Sequence, residues 1–253
     1  MGPITVIDPH LPARSPALSH VEYSYAFQPI VNTVARTVFS YEALLRGINK
    51  EPASHVFAQI SNQDMHQFDE ESRSTAIAVA ARLGIACNLN LNFLPRSVIG
   101  SDRAVRTTLA AAEHYGIAID RIILEVTEGE VIDDHIRFAN VINQFRGCGL
   151  KVAIDDFGAG FCGLNLLADF QPDMVKLDMN LVRGINTRGP RQAIVRAVAQ
   201  ACLDLGIDLI VEGVEALDEY RWFRDEGMYL FQGYLLAKPA FENIPRVEYP
   251  PLL

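Results

Sequence analysis

Polar residues of the kind that bind divalent cations recur along this chain, each within or just after a short apolar run. The set comprises five carboxylates with one asparagine, one lysine and one glutamine: Glu42, Asn92, Glu125, Asp155, Asp156, Lys176, Glu212 and Gln232. Oxygen donors without clustered histidine or cysteine suit magnesium or manganese rather than zinc or copper. Two such ions would relieve the repulsion among the carboxylates, polarise a phosphoryl oxygen and lower the pKa of a bridging water. If these residues meet, the sequence predicts two-metal phosphoryl chemistry.

The elements that must bring them together are eight predicted strands alternating with helical segments. The strands cover residues 23–31, 37–45, 85–91, 121–126, 150–154, 174–177, 208–211 and 229–231, and the clearest helices cover 72–83, 105–115, 134–145, 191–205 and 217–226. This alternation is typical of βα units and a parallel sheet, and its length suits a TIM-type (β/α)8 barrel. An open doubly wound sheet would give a similar string. In a barrel all strand ends converge on one face, so the polar residues would share one pocket.

Each of these eight polar residues has a plainer interpretation as a cap or a solvated surface residue. The repetition of the pattern at strand after strand favours a shared site over eight separate caps.

A second alternative keeps the barrel and makes the protein an aldolase, in which Lys176 acts as a Schiff-base nucleophile. This chemistry requires a lysine kept away from acids. Five nearby carboxylates would instead keep Lys176 charged, which argues against it.

Composition narrows the class of protein. The chain has 253 residues, 49% hydrophobic and 21% charged, with a formal net charge of −9 and no run of Lys and Arg. Such a chain is globular, and polymeric nucleic acid is not an expected partner. The four cysteines form no CxxC pair, which indicates reduced thiols in the cytoplasm. The sequence shows neither a signal peptide nor an apolar stretch long enough for a membrane segment.

The first 20 residues differ from the rest in being rich in proline. Pro3, Pro9, Pro12 and Pro16 predict an extended arm or linker over residues 1–20, followed by one domain over residues 21–253. An upstream sensory domain is a possible former partner of this arm.

Eight short motifs together resemble the EAL phosphodiesterases in order and spacing over residues 23–240. They are Phe27-Gln28-Pro29-Ile30-Val31, Glu42-Ala43-Leu44-Leu45-Arg46-Gly47, Asn92, Glu125-Val126-Thr127-Glu128, Asp155-Asp156-Phe157-Gly158-Ala159-Gly160, Lys176-Leu177-Asp178, Glu212-Gly213-Val214-Glu215 and Gln232-Gly233-Tyr234. The resemblance implies a TIM-type barrel with an irregular first strand and the hydrolysis of cyclic di-GMP to linear pGpG. It also implies two Mg²⁺ or Mn²⁺ ions, inhibition by Ca²⁺, and a homodimer.

The resemblance further implies roles for the metal-facing residues. The implied metal ligands are Glu42, Asn92, Glu125, Asp155, Asp156 and Glu212. Lys176 resembles the group that orients the attacking water and helps to deprotonate it, and it is grouped with Glu42 and Glu212 as catalytic. The run Asn88-Leu89-Asn90-Leu91-Asn92 places three asparagines on one strand face, so its spacing does not choose the ligand. The similarity of the residues after Asn92 to a family variant favours Asn92.

Other residues take supporting roles by the same resemblance. Gln28 and Arg46 are expected to contact guanine or phosphate, and Gln232 to lie near metal-bound water. Glu128 is expected to hold the loop that begins at Asp155, because it lies three residues past Glu125, where strand alternation aims it at a different face. Asp178 and Glu215 are expected to contribute from outside the set of ligands.

Two observations bear on the alternatives within the family. The loop after Gly160 reads Phe161-Cys162-Gly163-Leu164, where the family often has a small hydroxyl residue, and this region bears on dimerisation and loop closure. Degenerate EAL domains bind cyclic di-GMP without cutting it, having typically lost metal ligands. Since the carboxylates and Lys176 are all present, the sequence favours an enzyme over a non-catalytic cyclic di-GMP receptor.

Overall fold

A computed structural model describes residues 15–94, 103–127, 142–159, 167–168 and 171–251. The strands are β1 (Tyr23–Asn32), β2 (Thr37–Gly47), β3 (Asn88–Phe93), β4 (Ile122–Thr127), β5 (Lys151–Phe157), β6 (Met174–Leu177), β7 (Asp208–Val211), β8 (Leu230–Phe231) and β9 (Ala240–Phe241). The helices are α1 (Ala53–Phe57), α2 (Met65–Arg82), α3 (Arg103–Tyr115), α4 (Met179–Val182), α5 (Gly189–Leu205) and α6 (Leu217–Asp225). Residues 142–147 are also helical. Short 3-10 helices cover Pro16–Leu18, Ile119–Arg121 and Ile185–Thr187.

Strands β1 to β8 close into a barrel. Strands β2 to β8 pair in sequence order and run parallel, while β1 pairs antiparallel with both β2 and β8. Strand β9 adds to the outer edge of β1. The predicted TIM-type barrel with an irregular first strand is confirmed.

The irregularity of the first strand is its direction, because β1 runs antiparallel to both of its neighbours in the barrel. Only residues 33–36 separate β1 from β2, whereas a parallel crossover needs a dozen residues or more. Asn32 favours the tight turn, because its side-chain oxygen accepts hydrogen bonds from the backbone N–H groups of Val34 and Ala35. The first two strands therefore form a hairpin within the barrel.

Apolar side chains form layers on both sides of the barrel wall. Outside it, one cluster packs against α2 and α3 around Ile77 and Leu89, and another packs against α5 and α6 around Val195 and Phe223. Inside the barrel, a smaller cluster fills the interior: Ile30, Ile123, Ala153, Met174, Ile210 and Leu230. The barrel is thus a packed core rather than a pore, as expected for this architecture.

Several element boundaries differ from the predicted ones. Strand β3 begins at Asn88 rather than residue 85, because Gly84 ends the preceding helix with φ of +69° and Ile85 packs in the connection. Leu18 and Val21 are buried in the core, whereas Pro16, Ala17, Ser19 and His20 are exposed, and residues 1–14 lie outside the described part. Within the described ranges no helix has the length and apolar character needed to cross a membrane.

Candidate functional site

The candidate site lies inside the barrel at the C-terminal ends of the parallel strands. Its residues follow the interior apolar layer by two positions: Glu125 follows Ile123, Asp155 follows Ala153, Lys176 follows Met174, Glu212 follows Ile210 and Gln232 follows Leu230. Since side chains two apart in a strand share a face, each strand that points an apolar residue into the interior also delivers a polar one above it. The predicted convergence of these residues is therefore observed.

Lys176 is the centre of the site. Its side chain is 1% exposed, and Nζ lies 2.6 Å from Glu125 Oε1 and 2.6 Å from Glu212 Oε1. The same atom is 3.0 Å from Asp155 Oδ1 and 3.5 Å from Glu42 Oε2. Four carboxylates from four segments of the barrel thus share one ammonium group.

This shared charge perturbs the acid–base equilibria of the site. Burial lowers the pKa of Lys176, but the four carboxylates outweigh it and raise that pKa well above its usual range. Burial and the neighbouring Glu42 raise the pKa of Glu125, and burial and Asp155 raise that of Glu212, both well above their usual ranges. One ammonium cannot balance four ionised carboxylates, so full ionisation of this set requires further positive charge.

Asp155 and Asp156 face the same site although they are neighbours in the chain. Consecutive strand residues normally point to opposite faces, but Asp156 has φ of +54° and the β5–β6 register shifts between Ile154 and Phe157. This bulge lets Asp155, Asp156 and Glu212 place carboxylate oxygens within 4.8 Å of one another. Burial, then the charges of Asp155 and Asp178, raises the pKa of Asp156 to about 6. Backbone strain of this kind tends to occur at functional sites.

The three asparagines of β3 occupy different depths of the barrel. Asn88 donates to the Phe39 carbonyl, and the fully buried Asn90 donates from Nδ2 to Glu125 Oε1 at 2.8 Å. Asn92 is exposed, with Nδ2 3.4 Å from Glu42 Oε1. Of the three, Asn92 thus lies nearest the open end of the site. Sequence spacing did not distinguish them, and the role of Asn90 beside Glu125 was not foreseen.

The two predicted glutamine contacts lie together against Glu42. Gln232 Nε2 donates to Glu42 Oε2 at 2.7 Å and lies 3.4 Å from Gln28 Oε1. Gln28 is opposite Glu42 in the β1–β2 ladder and donates to the Ala237 carbonyl. Arg46 is further along β2, at its end, where its guanidinium donates to the Leu45 carbonyl. Arg46 is therefore at the rim rather than among the carboxylates.

Supporting residues surround the carboxylates on the α4 and α6 side. Asp178 caps α4 by accepting from the Asn180 N–H at 2.8 Å. Glu215 forms an ion pair with Arg183. The buried Glu219 holds the segment containing Glu215, because it accepts from the backbone N–H groups of Glu215 and Ala216. Glu128, the expected holder of the loop after Asp155, lies outside the described residues, as does that loop beyond residue 159.

A cavity of about 300 Å³ opens above these residues. Besides the predicted side chains, it is lined by Tyr234, which belongs to the Gln232-Gly233-Tyr234 motif, and by Met179 and Arg183, which no motif indicated. Met179 and Arg183 follow a strand end without any repeated spacing, so sequence alone offered little signal for them. Gly213 also lines the cavity with φ of +64°, and a Cβ there would lie 2.7 Å from the Met179 Cβ. The backbone after Glu212 thus fits closely against α4.

Comparison with known proteins supports the resemblance found in the sequence. The EAL domain model matches residues 13–239. A standalone EAL protein from Vibrio cholerae O395, solved with cyclic di-GMP bound, is 42% identical with a TM-score of 0.87, covering 90% of this chain and 97% of that one. Complexes of Klebsiella pneumoniae BlrP1 with cyclic di-GMP and calcium or manganese are each 39% identical, with TM-scores of 0.86 and 0.83. They cover 93% and 94% of this chain and 60% and 61% of BlrP1, respectively.

Curated bacterial relatives extend this picture. The blue light- and temperature-regulated antirepressor BluF of Escherichia coli K12 is 34% identical over 227 residues, covering 89% of this chain and 56% of BluF. Other relatives are named cyclic di-GMP phosphodiesterases. The chain spans about half or less of the length of the curated relatives it matches. With an EAL match over most of its length and an EAL-type barrel, this chain belongs to the EAL domain family.

Proposed function

We propose that this chain is a metal-dependent phosphodiesterase that hydrolyses cyclic di-GMP to linear pGpG and so lowers the level of this second messenger. The observation that carries the proposal is the convergence of Glu42, Glu125, Asp155 and Glu212 on Lys176, with Asp156 beside them. A stable core would gain little from burying so many like charges around one cation. Such an arrangement suits a site that is completed by cations.

The residues present fit divalent metal ions. The donors are carboxylates with one amide, which suit Mg²⁺ or Mn²⁺. The residues that would hold these ions are Glu42, Asn92, Glu125, Asp155, Asp156 and Glu212. Glu125 Oε2 is buried without a hydrogen-bond partner among the described residues, as expected of an atom available for a cation. Two cations held here would supply phosphoryl polarisation and a water of lowered pKa.

Lys176 is the residue we assign to the attacking water. Burial lowers the pKa of Lys176, but the four carboxylates raise it by more, so the lysine stays protonated. Neutralising those carboxylates leaves burial as the dominant influence, which lowers the pKa of Lys176 and allows it to orient the water and accept its proton. The same reasoning argues against a Schiff-base lysine, because the unneutralised site holds Lys176 in its charged form.

The reaction requires one water and no redox partner. The water oxygen bonds to one phosphorus atom, the bond from that phosphorus to the ribose 3′ oxygen breaks, and the 3′ oxygen takes a proton. The product is linear pGpG with a 5′ phosphate. Gln28 and Arg46 are assigned to guanine or phosphate contacts, with Gln232 orienting Glu42 and nearby water.

The second candidate function is a non-catalytic cyclic di-GMP receptor. The similarity to BluF supports this candidate, because BluF is named an antirepressor and not a phosphodiesterase. The retention of every carboxylate and of Lys176 favours the enzyme instead. Purified chain incubated with cyclic di-GMP and Mg²⁺ distinguishes the two: the enzyme converts substrate to pGpG, whereas a receptor binds it and leaves it intact. A parallel incubation with chelator should give no product, and the oligomeric state measured alongside tests the homodimer implied by the family.

A further inference from the structure

Asn90 is a buried residue that the proposed reaction does not use directly. It is 0% exposed on the inner face of β3, opposite Glu42 in the β2–β3 ladder. Its Nδ2 donates to Glu125 Oε1 at 2.8 Å, and the same oxygen lies 2.6 Å from Lys176 Nζ. Glu125 Oε1 is therefore engaged by two donors, whereas Oε2 has no hydrogen-bond partner in the described ranges.

The orientation of the Asn90 amide follows from chemistry. An ionised carboxylate only accepts, so the NH₂ group rather than the amide oxygen faces Glu125 whenever Glu125 carries the charge that a metal ligand needs. Leucine, with the same branched shape, would fill the position but leave Oε1 with Lys176 alone. The asparagine thus fixes which oxygen of Glu125 points toward Lys176 and which is left over.

We propose that Asn90 is a positioning residue that sets the metal preference of the site, an inference that rests on the proposed function. With Lys176 and Asn90 on Oε1, Glu125 offers a cation one oxygen. Mg²⁺ demands near-octahedral geometry and suits single-oxygen ligation, whereas Ca²⁺ takes six to eight ligands and accepts carboxylates through both oxygens. Holding Glu125 to one oxygen therefore favours Mg²⁺ and Mn²⁺ over Ca²⁺.

The test measures metal binding without substrate. Isothermal titration with MgCl₂, MnCl₂ and CaCl₂, each alone, compares wild type with Asn90→Leu. The control is Asn88→Leu, the same change on the same strand face, at a residue that contacts the Phe39 carbonyl instead of the site. We expect Asn90→Leu to weaken Mg²⁺ and Mn²⁺ binding by about 10- to 100-fold, the usual effect of losing an outer-shell partner. Ca²⁺ binding should weaken much less, and Asn88→Leu should leave all three near wild type.

Two outcomes would overturn the inference. Unchanged Mn²⁺ affinity in Asn90→Leu would show that Asn90 does not position Glu125, and equal losses for Mg²⁺ and Ca²⁺ would show a general structural role instead of a preference. If Asn90→Leu does not fold, as judged by circular dichroism, Asn90→Ala removes the amide without adding bulk and takes its place. Wild-type protein that bound no divalent metal would overturn the proposed function and this inference together, whereas wild-type binding unaffected by the substitution would overturn the inference alone.

Discussion

Lys176 and Glu212 are joined across neighbouring segments of the barrel by an ion pair of 2.6 Å between Nζ and Oε1, with side chains 1% and 15% exposed. Glu212 also belongs to the carboxylate cluster with Asp155 and Asp156. The lysine and the proposed metal ions therefore act on the same negative charge. This relationship links the stability of the metal-free protein, its metal affinity and its chemistry.

Replacement of Lys176 should separate binding from chemistry. Lys176→Met keeps most of the length of the side chain and removes its charge, and turnover should fall at least about 100-fold, the usual size of a general acid–base effect. Cyclic di-GMP binding with metal present should change little. The metal-free variant should lose about 3–5 kcal/mol of stability, because breaking a buried ion pair leaves unpaired charge, and Mg²⁺ should restore part of its Tm.

The control for this variant is Lys151→Met. Lys151 begins strand β5, at the end away from Asp155 and the site, so this variant should retain wild-type turnover and Tm. Titration calorimetry, turnover and thermal melts supply the readouts. Equal collapse of affinity and turnover in Lys176→Met would assign the lysine a structural role in place of a catalytic one.

Removal of single carboxylates should abolish hydrolysis. Three variants each delete one hard anionic donor from the metal site: Glu42→Ala, Asp155→Ala and Glu212→Ala. None of them should turn over cyclic di-GMP at a measurable rate. The control is Asp204→Ala, on the exposed face of α5, which should resemble wild type. Added Ca²⁺ should inhibit the wild-type protein. Near wild-type turnover by Glu42→Ala at saturating Mg²⁺ would contradict the two-metal assignment.

Metal affinity should depend on pH through Asp156. Its pKa is raised to about 6 in the metal-free protein, and a cation binds only the ionised carboxylate. Protons therefore compete below about pH 6, and Mn²⁺ affinity should fall as the pH drops from about 7 to 5, by up to about tenfold per pH unit from this one group. Above about pH 7 Asp156 is almost fully ionised, so it adds no further gain in Mn²⁺ affinity.

Calorimetry in two buffers of different ionisation enthalpy measures the protons that Mn²⁺ releases. Asp156→Asn should bind more weakly and lose this part of the pH dependence. Wild-type affinity that stays constant between about pH 5 and 7 would exclude Asp156 as a titrating ligand.

The backbone at Gly213 should be required to place Glu212. Gly213→Ala adds a Cβ at φ of +64° and 2.7 Å from the Met179 Cβ, so the segment after β7 must move. Gly206→Ala has a similar φ of +71° with nothing within 4 Å of the added carbon, which makes it a matched control. Both variants should lose about 1–2 kcal/mol of stability from the left-handed backbone.

The readout that separates the two glycine variants is the Mg²⁺ concentration needed for half-maximal turnover. It should rise in Gly213→Ala and stay near wild type in Gly206→Ala. An equal response in both would mean that backbone strain alone, and not the displacement of Glu212, explains the loss.

Much of this site was predictable because strand alternation is strict. Ile123 and Glu125, or Met174 and Lys176, are two residues apart, so an apolar run that ends in a polar residue already indicates which side chain lies above the interior layer. Closure into a barrel then brings those ends together, whatever the sequence of the helices between them.

The remaining features depend on tertiary structure that a local pattern does not carry. The antiparallel direction of β1 depends on the short connection to β2, and the shared face of Asp155 and Asp156 depends on the left-handed backbone of Asp156. Strand alternation places all three asparagines of β3 on one face, and only their depth in the barrel decides what each one contacts. Asn88 contacts a backbone carbonyl, Asn90 contacts Glu125 and Asn92 contacts Glu42.

The most direct test of the central claim is hydrolysis of cyclic di-GMP in oxygen-18 water, with the products resolved by mass spectrometry. With Mg²⁺ or Mn²⁺ the account predicts linear pGpG carrying one oxygen-18 atom on its 5′ phosphate, no product with chelator, and product formation at least about 100-fold slower with Lys176→Met. Cyclic di-GMP that binds the wild-type protein but stays intact under saturating metal, or linear product without the label, would contradict it.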